Sequence, residues 1–293
     1  MTIKRSSGEK TFDTINTLLL SALIVLTLYP FLYIAFASIS EPALMIKHRG
    51  LLFGPLGVNF ASYKMVLRYP MILKGYQNTL FIVTVGTSLN LLMTSFGAYV
   101  LSRKGVYWKG FIMFVVVFTM FFSGGLIPFY LQVRSLGLYD TLWALIFPTL
   151  MSTWNLIVMR TSFMAIPASM EESARIDGAN DFTILFRIIL PLSVPVIAVM
   201  ILFYGVGHWN SWFNAMLFLR TRQLYPLQLI LREILISSDT SQMTTNVGGM
   251  DVEAVGQTIK YATVMVATLP ILFVYPFLQK YFVKGIMIGA LKG

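Results

Sequence analysis

Apolar runs of membrane length recur six times along this chain, near residues 14–39, 78–101, 111–132, 139–162, 188–207 and 261–281. About twenty helical residues cross the roughly 30 Å of bilayer hydrocarbon, and inside lipid a helix satisfies its own backbone donors and acceptors. The expected fold class is therefore all-α: a polytopic membrane protein with six transmembrane helices and both termini on one side. A hydrophobic share of 57%, a charged share of 12% and a mean hydropathy of +0.74 exclude an ordinary soluble domain.

Residues 1–13 are polar and carry Lys4, Arg5 and Lys10. Ala35-Phe36-Ala37 has the form of a signal cleavage site, but the run before it exceeds the roughly 7 to 15 residues of a signal core. An uncleaved first span over 14–39 is expected. Residues 40–77 read as a loop punctuated by Pro42, Gly50, Gly54, Pro55, Gly57 and Pro70, and residues 78–282 as a core of five further helices. Residues 208–260 form a second non-membrane stretch and 283–293 a tail. Arg103, Lys104 and Lys109 after the second run outweigh Arg134 after the third, and Lys280, Lys284 and Lys292 end the chain, which favours cytoplasmic termini. Lys47, Arg49, Lys64, Arg68 and Lys74 in the first loop run contrary to that rule. Pro30, Pro148, Pro195, Pro270 and Pro276 lie inside apolar runs, where each removes a backbone donor and serves as a kink or a hinge.

Several chemistries are excluded. The net charge of +10 is dispersed among loops and so does not form a nucleic-acid face. There is no cysteine, and His48 and His208 alone cannot build a histidine-rich metal site. No phosphate-binding GxxxxGK[ST], HExxH or GxSxG stretch occurs, and His208 beside Trp209 reads as an interfacial polar residue.

One polar stretch separates two oily runs: PASMEESARIDGANDFTILFRIILP, residues 167–191. Pro167 suits a first helical turn, Glu171 and Glu172 sit where the positive helix end favours acids, and Gly178 is placed to stop the helix after about ten residues. Asn180 or Asp181 can cap a second helix with Phe182, Leu185, Phe186 and Ile189 on one apolar face. Farther on, Trp209, Asn210, Trp212 and Asn214 combine flat rings with amides, chemistry suited to sugar rings and hydroxyls; an interfacial aromatic belt is the alternative.

The 167–191 spacing resembles the coupling motif of the membrane subunits of bacterial ABC importers: EAA, three residues, Gly, nine residues, Ile-x-Leu-Pro. Glu172, Ser173 and Ala174 stand for EAA, with Ser173 departing from alanine, and Gly178, Ile188, Leu190 and Pro191 follow in register. MRTSFMAIP, WNSW, NTLFIVTVGTSLNLLMTSFGAYVLSR and the ending QKYFVKGIMIGALKG are similar to the carbohydrate-uptake branch, and within it to polysaccharide-type permeases of the alginate importer kind.

This resemblance implies an ABC type I importer permease-like fold in the bacterial inner membrane. It implies a related second permease as heterodimer partner, two cytoplasmic ATPase subunits, an extracytoplasmic solute-binding protein and an oligosaccharide substrate. It further implies that this chain is not an enzyme and binds no cofactor, ATP and Mg belonging to the partner subunits. Glu171, Glu172, Ser173, Ala174, Asp177 and Gly178 become the ATPase-coupling residues, with Glu172 the charged anchor, Gly178 the turn and Ala174 the point of close approach. By the same resemblance the segment near 242–253 enters the binding protein's sugar cleft, making Thr245, Asn246, Gly248 and Gly249 contact candidates.

On that topology the outer loops hold ten lysines and arginines (Lys47, Arg49, Lys64, Arg68, Lys74, Arg134, Arg220, Arg222, Arg232, Lys260) against six acids (Glu41, Asp140, Glu233, Asp239, Asp251, Glu253), an excess of four. An outward basic excess concentrates anions and so suits an acidic oligosaccharide; attraction to lipid phosphates or to an acidic binding protein is the alternative. A stand-alone secondary transporter is the competing function, and the near absence of ionisable residues within the runs argues against it.

Overall fold

The computed structural model describes residues 6–236 and 251–290, and all regular structure among them is helical. The described residues group into two compact units, one up to Tyr69 together with those of Glu233–Thr268, the other Pro70–Arg232 with the chain from Leu269.

In the first unit, α1 (Ser7–Ser38) opens with a capping box in which Ser6 Oγ accepts from the Glu9 amide and the Glu9 carboxylate from the Ser6 amide. As far as Leu28 its apolar side chains are exposed around the helix, Leu26 at 73%, as befits a surface meant for lipid or another chain rather than water. After α1 come α2 (Pro42–Met45) and α3 (Ala61–Arg68). Ala37, Met45 and Leu52 form a small core against Tyr33 and Tyr261, and Ser62 Oγ donates to Thr258 Oγ1 at 2.9 Å.

The second unit is built on α4 (Pro70–Ser102), which carries a π-helical turn at Ile82–Gly86. Proline favours a first helical turn, so residues 70–77, expected as loop, are helix. The third apolar run is broken: α5 (Lys109–Phe121) and α6 (Leu126–Ser135) meet at 116°, and Gly125 between them has φ +87°, a conformation open to glycine. The fourth run is also broken, into α7 (Trp143–Ile146), a 3-10 turn at Phe147–Thr149 that takes up Pro148, and α8 (Thr153–Met164). The chain continues through α9 (Ala168–Ile176) to α10 (Asp181–Leu192) and α11 (Val194–Trp209), which meet at 86°. Pro195 thus stands in the first turn of α11 rather than inside a span. After them come α12 (Phe213–Phe218) and α13 (Leu227–Ile236), which belongs to this unit as far as Arg232, while α14 (Asp251–Ala290) belongs to the first unit up to Thr268 and to the second from Leu269.

The all-helical class stands, but the runs are not six straight spans. Among the described residues three continuous helices are long and apolar enough to cross a membrane, Gly8–Ser38, Pro70–Ser102 and Val255–Phe273, and the two bent pairs add up to two more. At 1.5 Å per residue, α8 reaches only about 18 Å and does not cross alone.

The largest core lies where α4, α8, α10 and α11 converge, around Ala98, Leu156, Met159, Phe163, Ile184, Ile189 and Met200. Small residues allow the approach: a Cβ on Gly97 would come within 3.0 Å of Leu156 Cδ1.

Candidate functional site

The segment 167–191 forms a helix, a glycine turn and a second helix. Pro167 is the N-cap of α9 rather than part of its first turn. At the other end the Gly178 amide donates to Arg175 O and the Ala179 amide to Ala174 O, with Gly178 at φ +83°, the left-handed stop that glycine permits. Asn180 caps α10, its Oδ1 accepting from the Thr183 amide at 2.8 Å. A π-helical turn at Leu185–Ile189 then rewinds the register. As a result Ile184, Leu185 and Ile189 are buried while Phe182 and Phe186 stay exposed and each meets the Phe96 ring edge-on at 6.1 Å, so the single apolar face expected for 182, 185, 186 and 189 does not form.

On α9 the residues divide by face. Ala174 is buried in the large core, and Glu171, one turn earlier on the same face, is 13% exposed. The Glu171 carboxylate accepts from Arg103 Nη1, from Arg175 Nη2 at 3.0 Å and from the Tyr99 hydroxyl at 3.4 Å. Arg175 also donates to Asp181 at 2.5 Å, Tyr99 donates to the same carboxylate at 3.2 Å, and Arg103 Nη2 donates to Phe163 O at 3.2 Å. Burial pushes the Glu171 carboxyl up, but the hydrogen bonds and charges of Arg175 and Arg103 outweigh it and hold the group below the usual carboxylate range. Glu172, Ser173, Asp177 and Gly178 are exposed, as is Ile176 at 87%.

A second feature is a cavity of about 590 Å³, within the span of roughly 300–1,000 Å³ usual for ligand sites. Asn155, Tyr204, His208, Asn210, Ser211, Trp212 and Asn214 line it with Leu145, Met151 and Phe203, and among the described residues no Lys, Arg, Asp or Glu lines it. A buried polar seam stiffens its wall. Asn90 Nδ2 donates to Thr149 O at 2.5 Å, which turns Asn90 Oδ1 toward His208 Nε2 at 2.7 Å and makes Nε2 the protonated nitrogen. Thr94 Oγ1 and the Tyr204 hydroxyl pair at 2.7 Å, and Tyr204 accepts from the Ser152 amide at 3.1 Å. Beside the cavity the Arg232 guanidinium stacks 4.3 Å from the Trp212 ring centroid.

Residues 90–288 match the family described as binding-protein-dependent transport system inner membrane component. The chain belongs to this family. It is 42% identical over 294 residues to Protein LplC of Bacillus subtilis (strain 168), covering 100% of this chain and 98% of that protein. It is 40% identical over 285 residues to the polygalacturonan/rhamnogalacturonan transport system permease protein YtcP of the same organism, covering 97% and 99%. Among solved structures it is similar to a chain of a bacterial ABC transporter involved in the import of the acidic polysaccharide alginate, with 34% identity, a TM-score of 0.87 and coverage of 96% and 100%. A chain of a bacterial alginate ABC transporter in complex with an alginate pentasaccharide-bound periplasmic protein, 15% identical with a TM-score of 0.55 over 90% and 93%, shares the fold.

In this transport component the residues singled out from sequence are only partly brought together. Asn210, Trp212 and Asn214 line the cavity, while Trp209 is buried outside its lining, its ring 6.3 Å from that of Tyr76 and its Nε1 without a hydrogen-bond partner among the described residues. His208 is not interfacial: it is 8% exposed and held by Asn90. Thr245, Asn246, Gly248 and Gly249 lie outside the described residues. Sequence reading missed Arg103 as the partner of Glu171 and the seam of Asn90, Thr94 and Tyr204. Both had a signal. Glu171, Ala174 and Arg175 stand at i, i+3 and i+4, so the face that packs closely carries Glu171, not Glu172. Asn90, Thr94 and Gly97 stand at i, i+4 and i+7, a polar and small stripe inside an apolar run.

Proposed function

We propose that this chain is a translocating subunit of an ATP-driven importer of acidic oligosaccharides, paired with a related permease, driven by two cytoplasmic ATPase subunits and loaded by an extracytoplasmic binding protein. The observation that carries the reading is the likeness, over 96% of the chain and at a TM-score of 0.87, to a subunit of an alginate-importing transporter. The name of YtcP, a permease for polygalacturonan and rhamnogalacturonan, points to the same uronate chemistry. The geometry supports it. The exposed face of α9, with Glu172, Ser173 and Ile176, offers a cytoplasmic ATPase a charge beside an apolar side chain. The cavity offers amides, hydroxyls and the Trp212 ring to a sugar, and Arg232 sets a cation against that ring. ATP and Mg belong to the ATPase subunits, and this chain does no covalent chemistry.

The test is reconstitution in proteoliposomes with binding protein and ATPase subunits. ATP hydrolysis should be stimulated more by uronate oligosaccharides than by neutral ones of equal length. Equal or stronger stimulation by neutral sugars would remove the acidic substrate, and no stimulation by any oligosaccharide would remove the importer reading.

A further inference from the structure

We propose that Glu171 and Arg103 form a charged joint that carries movement of the docking helix into the membrane helices, a role distinct from that of the neighbouring Glu172. The inference rests on the coupling reading above and assigns the two residues as positioning residues. Successive helical residues point about 100° apart, so two adjacent glutamates cannot share one task. Glu172 faces outward beside Ser173 and Ile176, whereas Glu171 is turned in beside buried Ala174.

The joint gathers four elements around one carboxylate: Tyr99 from α4 with Arg103 just after its end, Arg175 from α9, through Tyr99 and Arg175 the Asp181 carboxylate of α10 and, through Arg103, the Phe163 carbonyl of α8. Two arginines balance two acids, so the cluster is complete within the chain and needs no ion from a partner. A nine-residue helix hung between Pro167 and Gly178 transmits a push only where it is fixed in direction. Apolar contact at Ala174 is non-directional, but charge-assisted hydrogen bonds on one carboxylate are not. Arg103 also grips α8 near its end, and eight residues back along α8, about 12 Å, Asn155 lines the cavity. The path is docking helix, Glu171, Arg103, α8, cavity wall. Spatial continuity alone does not demonstrate coupling, so the joint must be broken and rebuilt.

The importer is reconstituted with its ATPase subunits and binding protein, and import is measured per ATP hydrolysed with a uronate tetrasaccharide and a neutral tetrasaccharide as probes. If the wild type imports neither, the proposed function fails and not the joint. Glu171→Gln and Arg103→Gln should each retain bound ATPase subunits yet import roughly tenfold less per ATP, whereas Arg103→Lys, which keeps a cation for Glu171 and a donor for the Phe163 carbonyl, should retain most of the coupling, and the double variant Glu171→Gln with Arg103→Gln should lose little more than either single one, as a direct pairwise coupling requires. Glu172→Gln should instead weaken ATPase binding. Wild-type coupling in Glu171→Gln, loss of ATPase subunits from Glu171→Gln as severe as from Glu172→Gln, or additive losses in the double variant would each overturn the joint. Should the neutral variants fail to reach the membrane, Arg103→Lys decides: coupled import supports the joint and its absence overturns it.

Discussion

Gly86 and Gly178 are glycines for opposite reasons, and the contrast makes a residue-scale prediction. At Gly178 a Cβ would meet nothing within 4 Å, but φ is +83°, so alanine pays only the left-handed penalty of about 1–2 kcal/mol. At Gly86 the backbone is ordinary, but a Cβ would stand 2.7 Å from His208 Nε2. Alanine there must push the imidazole off Asn90, leaving two buried polar groups unpaired at about 1–3 kcal/mol each. Thermal unfolding in detergent should therefore show a modest loss for Gly178→Ala and a larger one for Gly86→Ala. Import by Gly86→Ala should also show a raised KM, because His208 lines the cavity. Equal melting losses with an unchanged KM would refute the assignment. The turn at Gly178 was legible because a helix stop has a residue signature. The need for Gly86 was not, since His208 lies 122 positions away along the chain and no local pattern announces which side chain will cross a helix.

At the scale of the element, α9 makes a pH prediction. Its inward carboxyl, Glu171, is faced by Tyr99 and Arg103 from α4, by Arg175 on α9 and by Asp181 from α10. Because its folded pKa is depressed, its ion pairs contribute stability that is fully present above the ordinary carboxylate value of about 4.3 and is lost as pH falls through the lower folded value. The melting difference between wild type and Glu171→Gln should be constant from pH 7 to about 5 and should shrink below that. A difference that stays flat down to pH 3 would show that Glu171 stabilises by packing alone. The existence of α9 and its Asn180-capped successor could be read from spacing, since caps and glycine stops act within a few residues. The π-helical turn at Leu185–Ile189 could not, because the extra residue in its wider ring leaves no compositional mark. That one turn is why Phe182 and Phe186 part company with Leu185 and Ile189.

For the whole molecule, hydropathy located the apolar runs but not their bends, since glycine and proline are common in membrane helices and Gly124-Gly125 or Pro148 inside a run says little about whether the chain turns there. Orientation is a separate matter, and it can be tested cleanly because the chain has no cysteine. The charge bias after the second run and the proposed coupling role of residues 167–191 both predict that residues 167–187 lie in the cytoplasm. The structure adds an internal axis: along α8, the Phe163 carbonyl accepts from Arg103 while Asn155 lines the cavity, so the two sites lie toward opposite ends of one helix. If α9 is cytoplasmic, the segment that includes Arg222–Leu224, beyond the cavity's Trp212 and Asn214, faces outward. Single cysteines at two exposed positions, Ser169→Cys on α9 and Gln223→Cys on the far segment, separate the cases. A membrane-impermeant maleimide added to intact bacterial cells made permeable only at the outer membrane should label Gln223→Cys and leave Ser169→Cys unlabelled until the inner membrane is opened. Labelling of Ser169→Cys from outside would invert the orientation, and with α9 on the wrong side for an ATPase the coupling assignment would fall with it.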